Sequence, residues 1–227
     1  MLHTKHDRWI AHKEFSLKFC IALILLGLTW IGPSHAQDPS KPILLVTGDS
    51  LSAEYGIARG SGWVALLASR LQKEGSPWEV MNASISGETT SGGLTRLPKL
   101  LSQKKPKLVI IELGANDALR GLPLAETEKN IRTMIELSKK SGAQVLLLGM
   151  RIPPNYGQDY TQQFAQLFVR IAKSQQVPLV PFFLEGVAQR NDLFQADRIH
   201  PNEAAQPILF QNVWTALSPF YGLLLKK

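Results

Sequence analysis

The sequence has one cysteine and five histidines in 227 residues, and most of them lie at one end. Cys20, His3, His6, His12 and His35 all precede Gln37, and only His200 follows it. A chain running from Gln37 therefore cannot close an internal disulfide or assemble a zinc site of the usual three or four Cys and His ligands. No metal and no cofactor is expected. Nucleotide-binding patterns are missing as well: no Gly-x-Gly-x-x-Gly follows the first apolar run, and no Gly-x-x-x-x-Gly-Lys-Ser/Thr occurs. The formal net charge is +7, and its densest cluster is Lys104, Lys105 and Lys107. No aromatic residues interleave with that cluster, so nucleic acid is not an expected partner. Repeats, linkers and low-complexity stretches are also absent. What remains is 44% hydrophobic and 19% charged, the composition of a globular domain.

Residues 1–18 are polar and basic, with Lys5, Arg8, Lys13 and Lys18 against Asp7 and Glu14. Phe19 to Ile31 is an apolar run, Gly32-Pro33 breaks it, and Ser34-His35-Ala36 places small residues before Gln37. This order predicts a secretory signal peptide over residues 1–36 and a single mature domain over 37–227. Export across the inner membrane to the periplasm is the expectation. An uncleaved anchor is the alternative, but a helix over that run spans only about 20 Å of a hydrocarbon core roughly 30 Å thick. No stable membrane span is expected once the leader is removed.

Beyond the leader, short apolar runs alternate with helical patterns. Ile43–Thr47, Glu79–Ala83, Leu108–Leu113, Val145–Met150 and Val177–Phe182 read as buried strands. Trp63–Lys73, Gly93–Gln103, Glu126–Lys140 and Tyr160–Ser174 read as helices, with a fifth somewhere within Glu203–Leu217 whose start Pro207 obscures. Such alternation predicts a parallel sheet covered by helices on both faces. Ligands in these sheets bind beyond the carboxyl ends of the strands, so chemistry is to be sought there.

Four segments qualify: Gly48-Asp49-Ser50-Leu51-Ser52, Asn82 to Thr90, Gly114-Ala115-Asn116-Asp117, and Asp197-Arg198-Ile199-His200-Pro201-Asn202. Each alone is an ordinary turn, helix cap or surface ion pair. Together they meet the needs of a serine hydrolase. A serine hydroxyl must lose its proton to a base as it attacks, and neutral imidazole is the usual base. His200 is the sole imidazole left for that role. Pro201 biases it away from helical geometry, and Asp197 is three residues away, within reach of Nδ1. Amides of Ser50 and Gly87 and the side chain of Asn116 are candidate donors to a developing oxyanion.

These blocks resemble the GDSL, or SGNH, hydrolase family, and within it the bacterial secreted thioesterase I/lysophospholipase/arylesterase group. The similarity runs over Lys41–Pro219 and includes NASISGET, LGANDALRG, RIPPNYG, VPLVPFF and IHPNEAAQP. The resemblance implies a flavodoxin-like three-layer α/β/α sandwich with a five-stranded parallel sheet. It also implies a Ser50, Asp197, His200 triad and an oxyanion hole from Ser50, Gly87 and Asn116. Implied substrates are small molecules with single acyl chains: aryl and alkyl esters, thioesters and lysolipids. Leu119, Leu122, Ile152, Pro153 and Tyr156 follow strand ends and are candidate walls for the chain, plain loop packing being the alternative. Export argues against a cytosolic acyl-CoA pool as the substrate.

Two positions depart from the family, which often has glycine where Ala115 and Glu54 stand. Ala115 is expected to be tolerated, and Glu54 to add negative charge near the serine and disfavour anionic substrates. Gly-x-Ser-x-Gly is absent, so the larger α/β-hydrolase fold is not supported. Asn82-Ala83-Ser84 matches a glycosylation sequon, read here as coincidence. A polysaccharide or carbohydrate O-deacetylase on the same blocks, and a non-catalytic ligand-binding module, remain as alternatives.

Overall fold

A computed structural model describes residues 41–225. The proposed leader, with Cys20 and four of the histidines, lies outside the described residues. Five parallel strands, β1 (Ile43–Gly48), β2 (Glu79–Asn82), β3 (Leu108–Glu112), β4 (Gln144–Leu148) and β5 (Leu179–Val180), form one sheet in the order β2-β1-β3-β4-β5. The central strands β1 and β3 are almost wholly buried, which is why they read as unbroken Val, Ile and Leu runs rather than alternating ones. Their register sets Gly48 beside Glu112.

The principal helices are α1 (Trp63–Lys73), α2 (Thr90–Lys104), α3 (Ala115–Leu119), α4 (Leu124–Lys140), α5 (Gln158–Gln175), α6 (Gln206–Ala216) and α7 (Tyr221–Leu224). α2, α4 and α5 pack on one face of the sheet, and α1 with α6 on the other. The α/β/α sandwich expected from the sequence is thus the observed fold. Each long helix buries one stripe: Ile131, Met134, Ile135 and Ser138 on α4, and Phe164, Leu167, Phe168 and Ile171 on α5. Among the described residues no helix is long and apolar enough to cross a membrane.

Where boundaries differ from the sequence reading, local chemistry explains it. β5 is shorter than Val177–Phe182 because Pro178 and Pro181 flank it and donate no ladder hydrogen bond. Pro207 does not break α6; it occupies the first turn, where its missing N–H costs nothing. Asn202 caps the preceding 3-10 turn by accepting from the Ala204 amide at 3.0 Å. Gln206 then ties α6 to α1 by accepting from the Trp63 amide at 3.0 Å. The short α3 escaped the sequence reading because five residues show no helical period.

α3 is held by one buried carboxylate. Asp117 accepts from the Thr90 amide at 2.8 Å and from the Thr90 hydroxyl, and from the Thr127 hydroxyl at 3.3 Å. It thereby joins α3 to the first turns of α2 and α4. Asp117→Ala strands buried donors, each costing about 1–3 kcal/mol. A loss of about 3 kcal/mol in urea unfolding is expected, and a change under 0.5 kcal/mol would remove Asp117 from this role.

Candidate active site

The chain leaves β1 at Gly48 and turns at once through Asp49, Ser50, Leu51 and Ser52. The Asp49 carbonyl closes the turn by accepting from the Ser52 amide at 3.2 Å and the Ala53 amide at 2.9 Å. Glu112, at the end of β3, supports the turn from below. Its Oε2 accepts from the Ser52 hydroxyl at 2.7 Å and from the Asp49 amide at 3.2 Å. The Trp63 indole N–H donates to the same hydroxyl at 3.2 Å. Glycine is required at 48, since a Cβ there would lie 2.7 Å from Glu112 Oε2 and 2.8 Å from Ser52 Oγ. On the other side, Asn82 donates to the Ser52 carbonyl at 2.7 Å and accepts from the Ser84 amide at 3.1 Å. Asn82 thus braces the turn.

Ser50, presented by this turn, meets the loop from Asn191 to Pro201. His200 Nε2 lies 3.0 Å from Ser50 Oγ, and Nδ1 lies 2.7 Å from Asp197 Oδ2. The other Asp197 oxygen accepts from the amides of Ile199 at 2.9 Å and His200 at 3.0 Å. These bonds, led by the His200 amide, hold the Asp197 carboxyl down at about 2, so it stays ionised above that pH. Arg198 sits between the two in the left-handed region, at φ 58°. The Tyr55 ring covers the imidazole, with centroids 4.4 Å apart, a contact the sequence reading did not anticipate.

Asn116 lies in the first turn of α3, and its Nδ2 donates to Asp49 Oδ2 at 3.0 Å. Asp49 Oδ1 meanwhile accepts from the Leu51 amide at 3.0 Å. The Asp49 carboxyl therefore fixes one hydrogen of the Asn116 amide and leaves the second free to point elsewhere. Ala115 is accommodated as expected, because Gly114 takes the positive φ of 118° and Ala115 starts the helix. Gly87 follows β2 at φ 77°, with its carbonyl accepting from Arg120 at 2.9 Å. It is exposed and lies outside the residues that line the adjoining cavity.

That cavity, about 530 Å³, opens beside Ser50, Asn116 and His200. Of the five expected wall residues, Leu119, Ile152 and Pro153 line it. Leu122 and Tyr156 do not, and they are 39% and 38% exposed. The physical reason is that α3 ends at Leu119 and the chain turns outward at Gly121 (φ 67°), while Tyr156 closes an outward 3-10 turn. Met150, Phe182, Leu184 and Phe194 complete the apolar wall. Phe182 was hidden because it read as part of a buried strand, although the strand-end rule would have found it. Glu54 lies outside that wall but lines a small neighbouring recess together with Ser50 and His200. Its carboxylate accepts from the amides of Gly60 at 3.0 Å and Gly62 at 2.9 Å. Its φ of 60° accounts for the glycine common there in the family.

Residues 46–207 match the GDSL-like Lipase/Acylhydrolase family. The protein named esterase TesA from Pseudomonas aeruginosa is 48% identical over 203 residues, covering 89% of this chain and 96% of that protein. The thioesterase 1/protease 1/lysophospholipase L1 of Escherichia coli K12 is 43% identical over 176 residues, covering 78% of this chain and 83% of its own. A crystal structure of TesA superposes with a TM-score of 0.76 at 51% identity, over 78% of this chain and 98% of the other.

The two buried carboxyls beneath Ser50 generate a pH prediction. Burial raises Asp49 from 3.8 to about 6, against the opposing pull of its Leu51 and Asn116 donors. Burial, and then the charge of Asp49, push Glu112 well above its ordinary range. Both groups thus hold protons in the folded state that the unfolded chain releases, so their contribution to stability is lost as pH rises. Glu112→Gln keeps an acceptor oxygen for the Ser52 hydroxyl and the Asp49 amide without an ionisable proton. The variant should gain stability over the parent between pH 5 and 8, by at most about 1.4 kcal/mol per pH unit. Urea midpoints that differ by a constant amount across that range would show Glu112 ionising freely.

Proposed function

Because the chain belongs to the GDSL-like Lipase/Acylhydrolase family and is a serine hydrolase of ester bonds, we propose that Ser50, His200 and Asp197 carry the reaction. The observation that supports this most directly is the unbroken chain of contacts from Ser50 Oγ through the imidazole to Asp197, beside an apolar cavity. Ser50 Oγ attacks the acyl carbonyl carbon while His200 Nε2 takes its proton. Asp197 keeps Nδ1 protonated and stabilises the imidazolium. The oxyanion is met by the Asn116 side chain and the amides of Ser50 and Gly87. His200 then protonates the departing alcohol or thiol. Water repeats the sequence on the acyl-enzyme, releasing the acid and restoring Ser50.

The substrates proposed are esters and thioesters of single acyl chains, lysolipids among them. A wall built from Leu119, Met150, Ile152, Phe182 and Leu184 suits an alkyl chain, and favours this reading over an O-deacetylase acting on acetylated carbohydrate. The basic, apolar and small-residue order of residues 1–36 supports export to the periplasm, with the mature domain running from 37 to 227.

A fluorophosphonate probe should label Ser50 in the folded protein, and Ser50→Ala should abolish both label and turnover. Asn116→Ala should retain the label site but lower kcat by roughly 10²–10³. A medium-chain aryl ester should be cleaved far faster than an acetylated sugar. Turnover surviving in Ser50→Ala would overturn the assignment, and the reverse substrate order would favour the deacetylase.

A further inference from the structure

A second cavity, about 420 Å³, lies against the edge strand β5 and touches the first. Its floor is Leu179, Val180 and Pro181, and its far side is Thr215 and Ala216 at the end of α6. The two cavities share only two lining residues, Arg151 and Phe182. Those two are also stacked on one another, with the Arg151 guanidinium carbon 4.7 Å from the Phe182 ring centroid.

The two halves of this wall are held very differently. Phe182 belongs to a pinned segment: Asn212 donates to the neighbouring carbonyls of Phe183 at 3.1 Å and Glu185 at 2.9 Å. Arg151 is exposed, and its stack on the ring is the only side-chain interaction found for it among the described residues. Such an exposed cation–π contact contributes about 0.5–1 kcal/mol. Rotation of one long side chain is therefore enough to join the cavities, at small cost.

We propose that Arg151, resting on Phe182, is a movable partition between the acyl cavity and this second cavity, which takes the distal methylenes of long acyl chains. The idea rests on the reading of Ser50 as nucleophile and of the first cavity as the acyl site. Short chains end before the partition and leave Arg151 stacked. Long chains displace the guanidinium into solvent and continue over Val180 and Pro181 toward Ala216. Arg151 is then a specificity-determining residue that weights the reaction against long chains without excluding them. The charge also stays useful when displaced, since the open rim of the second cavity carries Glu185.

The test compares p-nitrophenyl esters that share a leaving group and differ only in chain length, from butanoyl to hexadecanoyl. Arg151→Ala should raise the hexadecanoyl-to-butanoyl ratio of kcat/KM about two- to fivefold. Thr215→Trp, placed in the second cavity from an exposed position on α6, should lower the same ratio at least about tenfold, as burial of two or more methylenes is lost. In the double variant the tryptophan effect should dominate. Ratios that match the parent in both single variants would overturn the partition, as would a tryptophan effect equal for short and long esters. Ser50→Ala separates the two readings: turnover retained in it overturns the nucleophile assignment, whereas its inactivity together with unmoved length ratios in the Arg151→Ala and Thr215→Trp variants overturns the partition alone.

Discussion

One buried carboxyl governs the placement of Ser50. Glu112 ends the central strand β3 beside Gly48 of β1, and its Oε2 collects the Ser52 hydroxyl and the Asp49 amide. That contact dictates glycine at 48 and fixes the turn that carries Ser50. Asp49 in turn orients the Asn116 amide. A line of hydrogen bonds therefore runs from the sheet interior to the point where negative charge would develop. Burying two carboxyls 1% and 2% exposed carries a desolvation penalty, and here it yields a turn with little freedom to move, the kind of rigidity that preorganised donors require.

Around that fixed turn, the other parts arrive from separate strand ends. The last residue of β2, Asn82, braces the turn, α3 after β3 brings Asn116, and the segment before α6 brings Asp197 and His200. Each is secured locally: Asp117 holds α3, and Asn202 and Gln206 hold the entry to α6. The apolar cavity is then built largely from the segments after β4 and β5, with Leu119 of α3 joining them.

The sheet, its helices and the Asp197–His200 pair were legible in the sequence because each follows a short-range rule, and Ser50 because it follows the end of the first strand. Buried parallel strands appear as apolar runs, α4 shows its stripe at Ile131, Met134 and Ile135, and the sole histidine after residue 36 leaves one candidate base. What stayed hidden depends on packing between distant segments. Glu112 looked like the polar end of a strand, and nothing local says it lies under Ser52. Tyr55 gives no sign that it will cover His200. Leu122 and Tyr156 satisfied the strand-end rule but not the direction of their turns, and Phe182 was absorbed into a strand that two prolines shorten. The site's central groups were thus readable from position, while its walls required three dimensions.

Glu54 carries an evolutionary consequence. Its backbone adopts an angle better suited to glycine, and its carboxylate staples the loop at Gly60 and Gly62. A glycine at 54 would relieve the backbone but release that loop, while a side chain at 62 would collide with the carboxylate, its Cβ lying 2.9 Å from Oε1. Positions 54 and 62 are therefore not free to drift separately. A lineage that exchanges the staple for the relaxed backbone has to re-anchor residues 58–62 by another contact, so position 54 and the stretch 58–62 change as a pair.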